Sequence, residues 1–171
     1  MVEIIKANPS HSDIIVTLGQ QTFLESHGHS ASKDDIQNYI SRTYNKTAIL
    51  KEFENNNVHY HLIYSDGNIA GFSKIDLDTT NKNITDPNIS KFDRLYILEA
   101  FQGKQLGAKL FQFTIELSKK QHQNGIWLAV WTENQKAVKF YQNMGFKIVG
   151  AFDFKISETH SNPNHIMYLE Y

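Results

Sequence analysis

Between Lys91 and Trp131 the chain spells out a strand, a polar glycine loop, a helix and a second strand, and few folds accommodate that order. KFDRLYIL supplies Phe92, Leu95 and Ile97 as the apolar members of the first strand. FQGKQLGAKLF follows, with Gly103 and Gly107 set among Lys and Gln. From Gln105 the spacing turns helical, placing Leu106, Leu110, Phe113 or Thr114, and Leu117 on one face. GIWLAVW is then almost unbroken in its apolar character, as expected of a strand buried on both faces in the middle of a parallel sheet. Strand, helix and strand form a right-handed crossover unit, so the chain is an α/β protein.

The flanking segments build outward from that unit. Val2, Ile4 and Ile5 begin a strand, and Ser10 to Ser26 reads as a helix through Ile14, Leu18 and Phe23. Shorter helices are expected near Lys33 to Arg42 and Lys46 to Glu54. VHYHLIYSDGNIAGFSKIDL alternates on both sides of Asp66-Gly67, which predicts a hairpin. Thr79 to Ser90 is polar and reads as a surface loop. ENQKAVKFYQNMGF predicts a short helix with Ala137, Tyr141 and Met144 on one face and Gly145 as a left-handed cap. FKIVGAFDF and HIMYLEY supply two last strands. The expected architecture is one domain over residues 1–171, with a mixed sheet of about seven strands flanked by helices.

Composition narrows the function. The 171 residues are 40% hydrophobic and 12% aromatic, enough for a sizeable core. Seventeen Lys and Arg stand against eighteen Asp and Glu, for a formal net charge of -1, so no basic field attracts nucleic acid. No window approaches the roughly 18 apolar residues of a membrane span, and MVEIIKANPS lacks the regions of a signal peptide. A cytoplasmic protein with no nucleic-acid or membrane partner is expected. With no cysteine there is no disulfide, no thiolate metal ligand and no thiol nucleophile. Any group transfer goes directly or uses another nucleophile.

The glycine loop has a physical reading. A loop between a strand and a helix N-terminus presents unpaired amides at the positive end of the helix dipole, and together these hold a phosphate or pyrophosphate. Lys104 and Lys109 add charge at the rim. The pattern is neither GxGxxG nor GxxxxGK[ST], so the dinucleotide and P-loop readings fail at the level of the letters.

QGKQLGA, Gln102 to Ala108, resembles the acyl-CoA pyrophosphate loop, [Q/R]-x-x-G-x-[G/A], of the GCN5-related N-acetyltransferases (GNAT). One strand later comes N-x-x-A-x-x-F-Y-x-x-x-G-F, carried by Asn134, Ala137, Phe140, Tyr141, Gly145 and Phe146. The two motifs stand in the family's order and at its separation, and the element order is similar along the whole chain. DRLYI and IWLAVWTENQKAVKFYQNMGF are most similar to bacterial spermidine/spermine acetyltransferases of the PaiA type.

The resemblance implies the GNAT fold, acetyl-CoA as donor with no metal, and a splayed pair of parallel strands that holds it. Leu95, Tyr96 and Ile97 would line the splay. Gln102, Gly103, Lys104, Gln105, Leu106, Gly107 and Ala108 would hold the pyrophosphate, and Asn134 and Ala137 the pantetheine. Tyr141 would stand near the sulfur as general acid, with Asp93 as the base that frees the amine. The fourth loop position, commonly Gly, is Gln105. Helical dihedrals there tolerate a side chain, whereas a positive φ strains it.

Each assignment has a plainer alternative. Tyr141 is also a core residue by its helix face, Asp93 also an ion-pair partner of Arg94, and Asn134 also a helix cap. His27 and His29, or His59 and His61, have spacings a metal can use, but no further ligands complete a site, so no metal is expected. FLESHGHSASKDDIQNYI is expected to wall the acceptor pocket. Glu25, Asp34 and Asp35 would attract a polycation, and Phe23, Tyr39 or Tyr44 would lie along its methylenes; as helix faces and caps the acids are equally ordinary. Three functions follow: acetylation of a small primary amine such as spermidine or spermine, acetylation of a protein or peptide N-terminus, and a non-catalytic CoA-binding module. HIMYLEY could pair between subunits or lie inside the sheet, and a monomer or homodimer is expected.

Overall fold

The structure is a computed structural model that describes all residues 1–171. Seven strands form one mixed sheet: β1 (Val2–Lys6), β2 (Val58–Ser65), β3 (Asn68–Asp76), β4 (Ile89–Ile97), β5 (Gly125–Trp131), β6 (Lys147–Lys155) and β7 (Ser161–Glu170), in the order β1-β2-β3-β4-β5-β7-β6. Only β4 and β5 run parallel. Five helices cover the sheet: α1 (Ser12–His27), α2 (Lys33–Thr43), α3 (Lys46–Phe53), α4 (Leu106–Lys120) and α5 (Gln135–Asn143). The hairpin falls at Asp66-Gly67, both at positive φ (50° and 80°), as a two-residue type I′ turn requires. Gly145, at φ 94°, ends α5 as expected.

Strand alternation distributes the core over two faces. Tyr60 and Leu62 of β2 pack with Ile15, Leu18 and Phe23 of α1, together with Ile36, Ile40 and Ile49. Ile63, one residue out of phase, packs instead with Leu106 and Leu110 of α4. Ile126, Leu128 and Val130 of β5 join Phe111, Ile115 and Val138 below the helices, while Trp127 occupies the opposite face with Ile89 and Ile166. GIWLAVW is thus buried on both sides, as its composition implies.

Two segments differ from the sequence expectation. Ile89 and Ser90, assigned to the polar loop, open β4, and both are fully buried. Ser90 is accommodated because its hydroxyl pairs with Ser118 Oγ at 2.7 Å and reaches the Gly125 carbonyl at 3.3 Å. β7 begins at Ser161 and includes Pro163, whose carbonyl accepts from the Thr132 amide at 2.9 Å. The HIMYLEY strand lies inside the sheet, paired on both sides by β5 and β6.

Candidate active site

The site begins where the sheet comes apart. β4 and β5 pair only through Ile89 with Gly125, Ser90 with Ile126 and Lys91 with Trp127, and separate beyond. The cause lies on the other edge of β4. Its register with β3 runs Lys74 to Arg94 and then Ile75 to Phe92, so Asp93 is an extra residue. A bulge bends its strand and increases the local twist, which carries Leu95 to Ile97 away from β5.

The opening leads into two hollows. A groove of about 680 Å³ runs along Leu95, Tyr96 and Ile97 to Gln102, Gly103, Gln105, Leu106, Gly107 and Ala108, with Asn134, Ala137 and Tyr141 on its far wall. A more enclosed cavity of about 330 Å³ lies between Phe23 and His27 of α1, Trp127 and Trp131 of β5, Phe152 and Phe154 of β6, and Asn162 and Asn164 of β7. Leu95, Tyr96, Asn134, Ala137 and Tyr141 line both hollows, so they mark the junction.

The loop end of the groove is built for an anion. No protein group accepts a hydrogen bond from the amides of Gly103 through Ala108; the first amide of α4 to bond is that of Lys109, to the Gln105 carbonyl at 3.1 Å. No side chain caps the helix. Free amides at a helix N-terminus hold phosphate oxygens. Gly103 and Gln105 both have positive φ, 79° and 59°, so Gln105 occupies a left-handed position that a side chain strains. Gln102 Oε1 accepts from Lys136 Nζ at 2.8 Å, bringing a cation to the groove from α5. Lys104 stands outside, with Nζ 5.0 Å from the centre of the Phe101 ring.

Tyr141 packs among Phe140, Phe146 and Phe111 at ring distances of 5.3, 5.6 and 6.4 Å. Its hydroxyl has no hydrogen-bond partner in the protein, and burial pushes its pKa up, so the phenol keeps its proton. Asn134 Oδ1 accepts from the Ala137 amide at 3.2 Å, so the cap is present at a residue that also lines both hollows.

Asp93 lines the cavity, but its surroundings speak against the expected role of base. Its carboxylate pairs with Lys91, with Lys74 at 3.0 Å and with Arg94 Nε at 3.5 Å. Burial opposes ionisation, yet the three cations outweigh it and hold the carboxyl well below the usual carboxylate range. A carboxylate held this far below its usual range, with its oxygens committed to three cations, is a very weak base. Glu52 of α3 extends the cluster, bidentate to Arg94 at 3.1 and 3.2 Å, with the Tyr60 hydroxyl donating to the same carboxylate.

Of the expected acceptor residues, Phe23 reaches the cavity, with 2% of its surface exposed. Glu25 lines the groove instead, its carboxylate occupied by the Glu99 amide at 3.0 Å and by Gln21 Nε2 at 2.9 Å. Tyr39 lies behind Phe23, stacked on it at 4.5 Å, and touches neither hollow. Tyr44 is core, 1% exposed, and Asp35 closes the Ser32 cap of α2. His27 falls within the segment expected to wall the acceptor pocket, whereas the Trp127/Trp131 pair, the Phe152/Phe154 pair and the asparagines of β7 lie outside the sequence expectation. Period-two spacing marks the two aromatic pairs as same-face residues, but nothing in the sequence brings them opposite α1. No cluster of three or more His, Cys, Asp or Glu side chains has metal-binding geometry.

The model of the acetyltransferase (GNAT) family matches residues 21–146, most of the chain. The chain belongs to that family. It is an acetyl-CoA-dependent N-acetyltransferase. An uncharacterized N-acetyltransferase of Lactobacillus delbrueckii subsp. lactis is 27% identical over 84% of this chain and 83% of its own. The spermine/spermidine N(1)-acetyltransferase of Bacillus subtilis is 33% identical over 56% of this chain and 66% of its own. Among solved structures, the PaiA N-acetyltransferase of Thermoplasma acidophilum in complex with coenzyme A superposes with a TM-score of 0.79, at 20% identity, over 100% of this chain and 99% of its own. No helix of the GNAT domain is long and apolar enough to cross a membrane.

Proposed function

We propose that this acetyltransferase moves the acetyl group of acetyl-CoA directly onto the primary amine of a small molecule seated in the aromatic cavity. The observation that carries the reading is the meeting of the two hollows at Tyr141, with free amides at the far end of one and a more enclosed, largely aromatic-walled cavity at the other.

Each residue then has a task. The amides of Gly103 to Ala108 and the Lys136 cation hold the pyrophosphate, and the backbone of Leu95 to Ile97, freed from β5 by the splay, pairs with the pantetheine arm. Acetyl-CoA supplies an activated acyl group with a thiol leaving group. Tyr141 donates a hydrogen bond to the departing sulfur; its raised pKa makes the stabilisation largely electrostatic. The cavity favours the uncharged amine, because an ammonium in it faces aromatic walls together with Lys91 and Arg94.

A polyamine acceptor is supported by the Bacillus subtilis relative named for spermine and spermidine. The cavity's charge leans toward an amine with a single positive centre, since its only carboxylate, Asp93, is committed to three cations. Release of CoA thiol from acetyl-CoA, measured with spermidine, spermine, phenethylamine, an aminoglycoside and free amino acids, decides between them. Saturable release with one amine class supports the enzyme and names its acceptor. Release no faster than buffer hydrolysis with all of them sinks the small-amine reading.

A further inference from the structure

The acceptor cavity contains one nitrogen base with a free lone pair. His27 closes α1, stacks on Phe23 with centroids 4.8 Å apart and planes within 10°, and lies 5.7 Å from the Trp131 ring. Its Nδ1 is 2.7 Å from Ser26 Oγ. That hydroxyl is also 2.7 Å from the Thr22 carbonyl, which can only accept. Both contacts are hydrogen bonds at once only when Ser26 donates to that carbonyl and Nδ1 donates to Ser26. The neutral ring is the Nδ1–H tautomer, and its Nε2 lone pair receives no hydrogen bond from the protein. Ser26 lines the donor groove and His27 the acceptor cavity, so the pair straddles the junction that Tyr141 shares.

We propose that His27 Nε2 is the proton acceptor of the acetyl transfer, an inference that rests on reading the aromatic cavity as the amine site. The neutral amine attacks the thioester carbonyl carbon. As the N–C bond forms, the nitrogen becomes positive and its N–H far more acidic than that of a free ammonium. Nε2 takes that proton, the C–S bond breaks with its electron pair on sulfur, and the Tyr141 phenol steadies the thiolate with a hydrogen bond while keeping its own proton. The imidazolium, the stronger acid, then gives its proton through solvent to the thiolate. Neutral amine and thioester become amide and thiol with no net change in protons.

The surroundings keep His27 ready for this step. Burial and the neighbouring His29 push its pKa down to about 4, so the ring is unprotonated at neutral pH. Lys91 and Arg94 on β4, which line the same cavity, act in the same direction; Asp93, held by both, is the one opposing charge, and Tyr141 on α5 stays neutral. So weak a base is suited to the acidic N–H of the forming bond rather than to a free ammonium.

His27→Gln keeps a polar side chain of similar length that cannot carry a proton. With whichever panel amine the wild type acetylates, this variant is expected to lose about 100-fold or more in kcat, with the acetyl-CoA Kd from calorimetry unchanged and the loss shrinking as pH rises and hydroxide takes over. Nitrogen-15 NMR of the wild type at pH 7 is expected to show the Nδ1–H tautomer at His27. A kcat within threefold of wild type, or an Nε2–H tautomer, overturns the proposal. Should the wild type acetylate no amine, the small-amine reading fails by itself. The nitrogen-15 spectrum then judges His27 without turnover: an Nε2–H ring rejects it and an Nδ1–H ring with a free Nε2 upholds it.

Discussion

At the scale of single residues, Gln105 and Tyr141 make the sharpest claims. Gln105 sits at φ 59° in the turn that aims the loop amides, where the Cβ of any L-residue crowds the following carbonyl. Gln105→Gly is expected to raise stability by up to about 1 kcal/mol, and Gln105→Val to lower it, since β-branching is worst in that region. Thermal unfolding of the three proteins orders them; an unchanged midpoint in both variants would mean that the loop relaxes out of the left-handed conformation. The loop motif was legible because its residues are contiguous, but the strain was not, since the letters do not disclose φ. Tyr141 was legible only through the flanking motif, and its free hydroxyl gives that assignment physical content. Tyr141→Phe is expected to lower kcat by about 100-fold, since its phenol is a junction donor with no partner in the protein, while acetyl-CoA affinity measured by calorimetry stays the same. Equal losses in affinity and turnover would make the ring a packing residue alone.

At the scale of elements, the strand-loop-helix-strand unit could be read directly because each part keeps its own period within a short window. The acceptor cavity could not. Its walls come from α1, β5, β6 and β7, which meet only because the β3–β4 bulge at Asp93 opens the sheet in front of Trp127 and Trp131. At the bulge the Asp93 carboxylate meets its sequence neighbours Lys91 and Arg94 and also Lys74 of β3, the one cation of the three that sequence distance conceals. Removing the charge leaves these cations partly uncompensated in a poorly solvated place, with Glu52 and Asp76 still near Lys74. Asp93→Asn is therefore expected to destabilise the protein by about 3 kcal/mol or more, visible as a lower denaturant midpoint at unchanged slope. A midpoint equal to that of the wild type would show the pairs to be solvent-screened and would return Asp93 to candidacy as the base.

At the scale of the whole molecule, the protein's dependence on acidity follows from histidines that the core holds neutral. His61, on β2 between the sheet and α4, is 3% exposed, meets the Phe113 ring edge-on at 4.9 Å and leaves Nδ1 without a partner. Burial, with His59 and Lys6 nearby, pushes its pKa down to about 4. In the unfolded chain the same side chain takes its proton near pH 6.5. Above that pH neither state is protonated and His61 contributes no pH dependence. As pH falls from about 6.5 toward 4 the unfolded state gains a proton that the folded state refuses, so stability is lost through that window. By pH 5 the loss reaches at most roughly 2 kcal/mol for this one group. His27 and His59 shift in the same direction, while Asp76, whose pKa is raised, offsets part of the loss near the lower end. Comparing His61→Phe with the wild type isolates one term from the others: the variant is expected to lose less stability between pH 7 and pH 5, by about 1 to 2 kcal/mol in denaturant titrations. Equal losses in the two proteins would mean that the folded state admits the proton, which requires α4 to lift from β2 without global unfolding, and hydrogen exchange at the α4 amides at pH 5 would then reveal that opening.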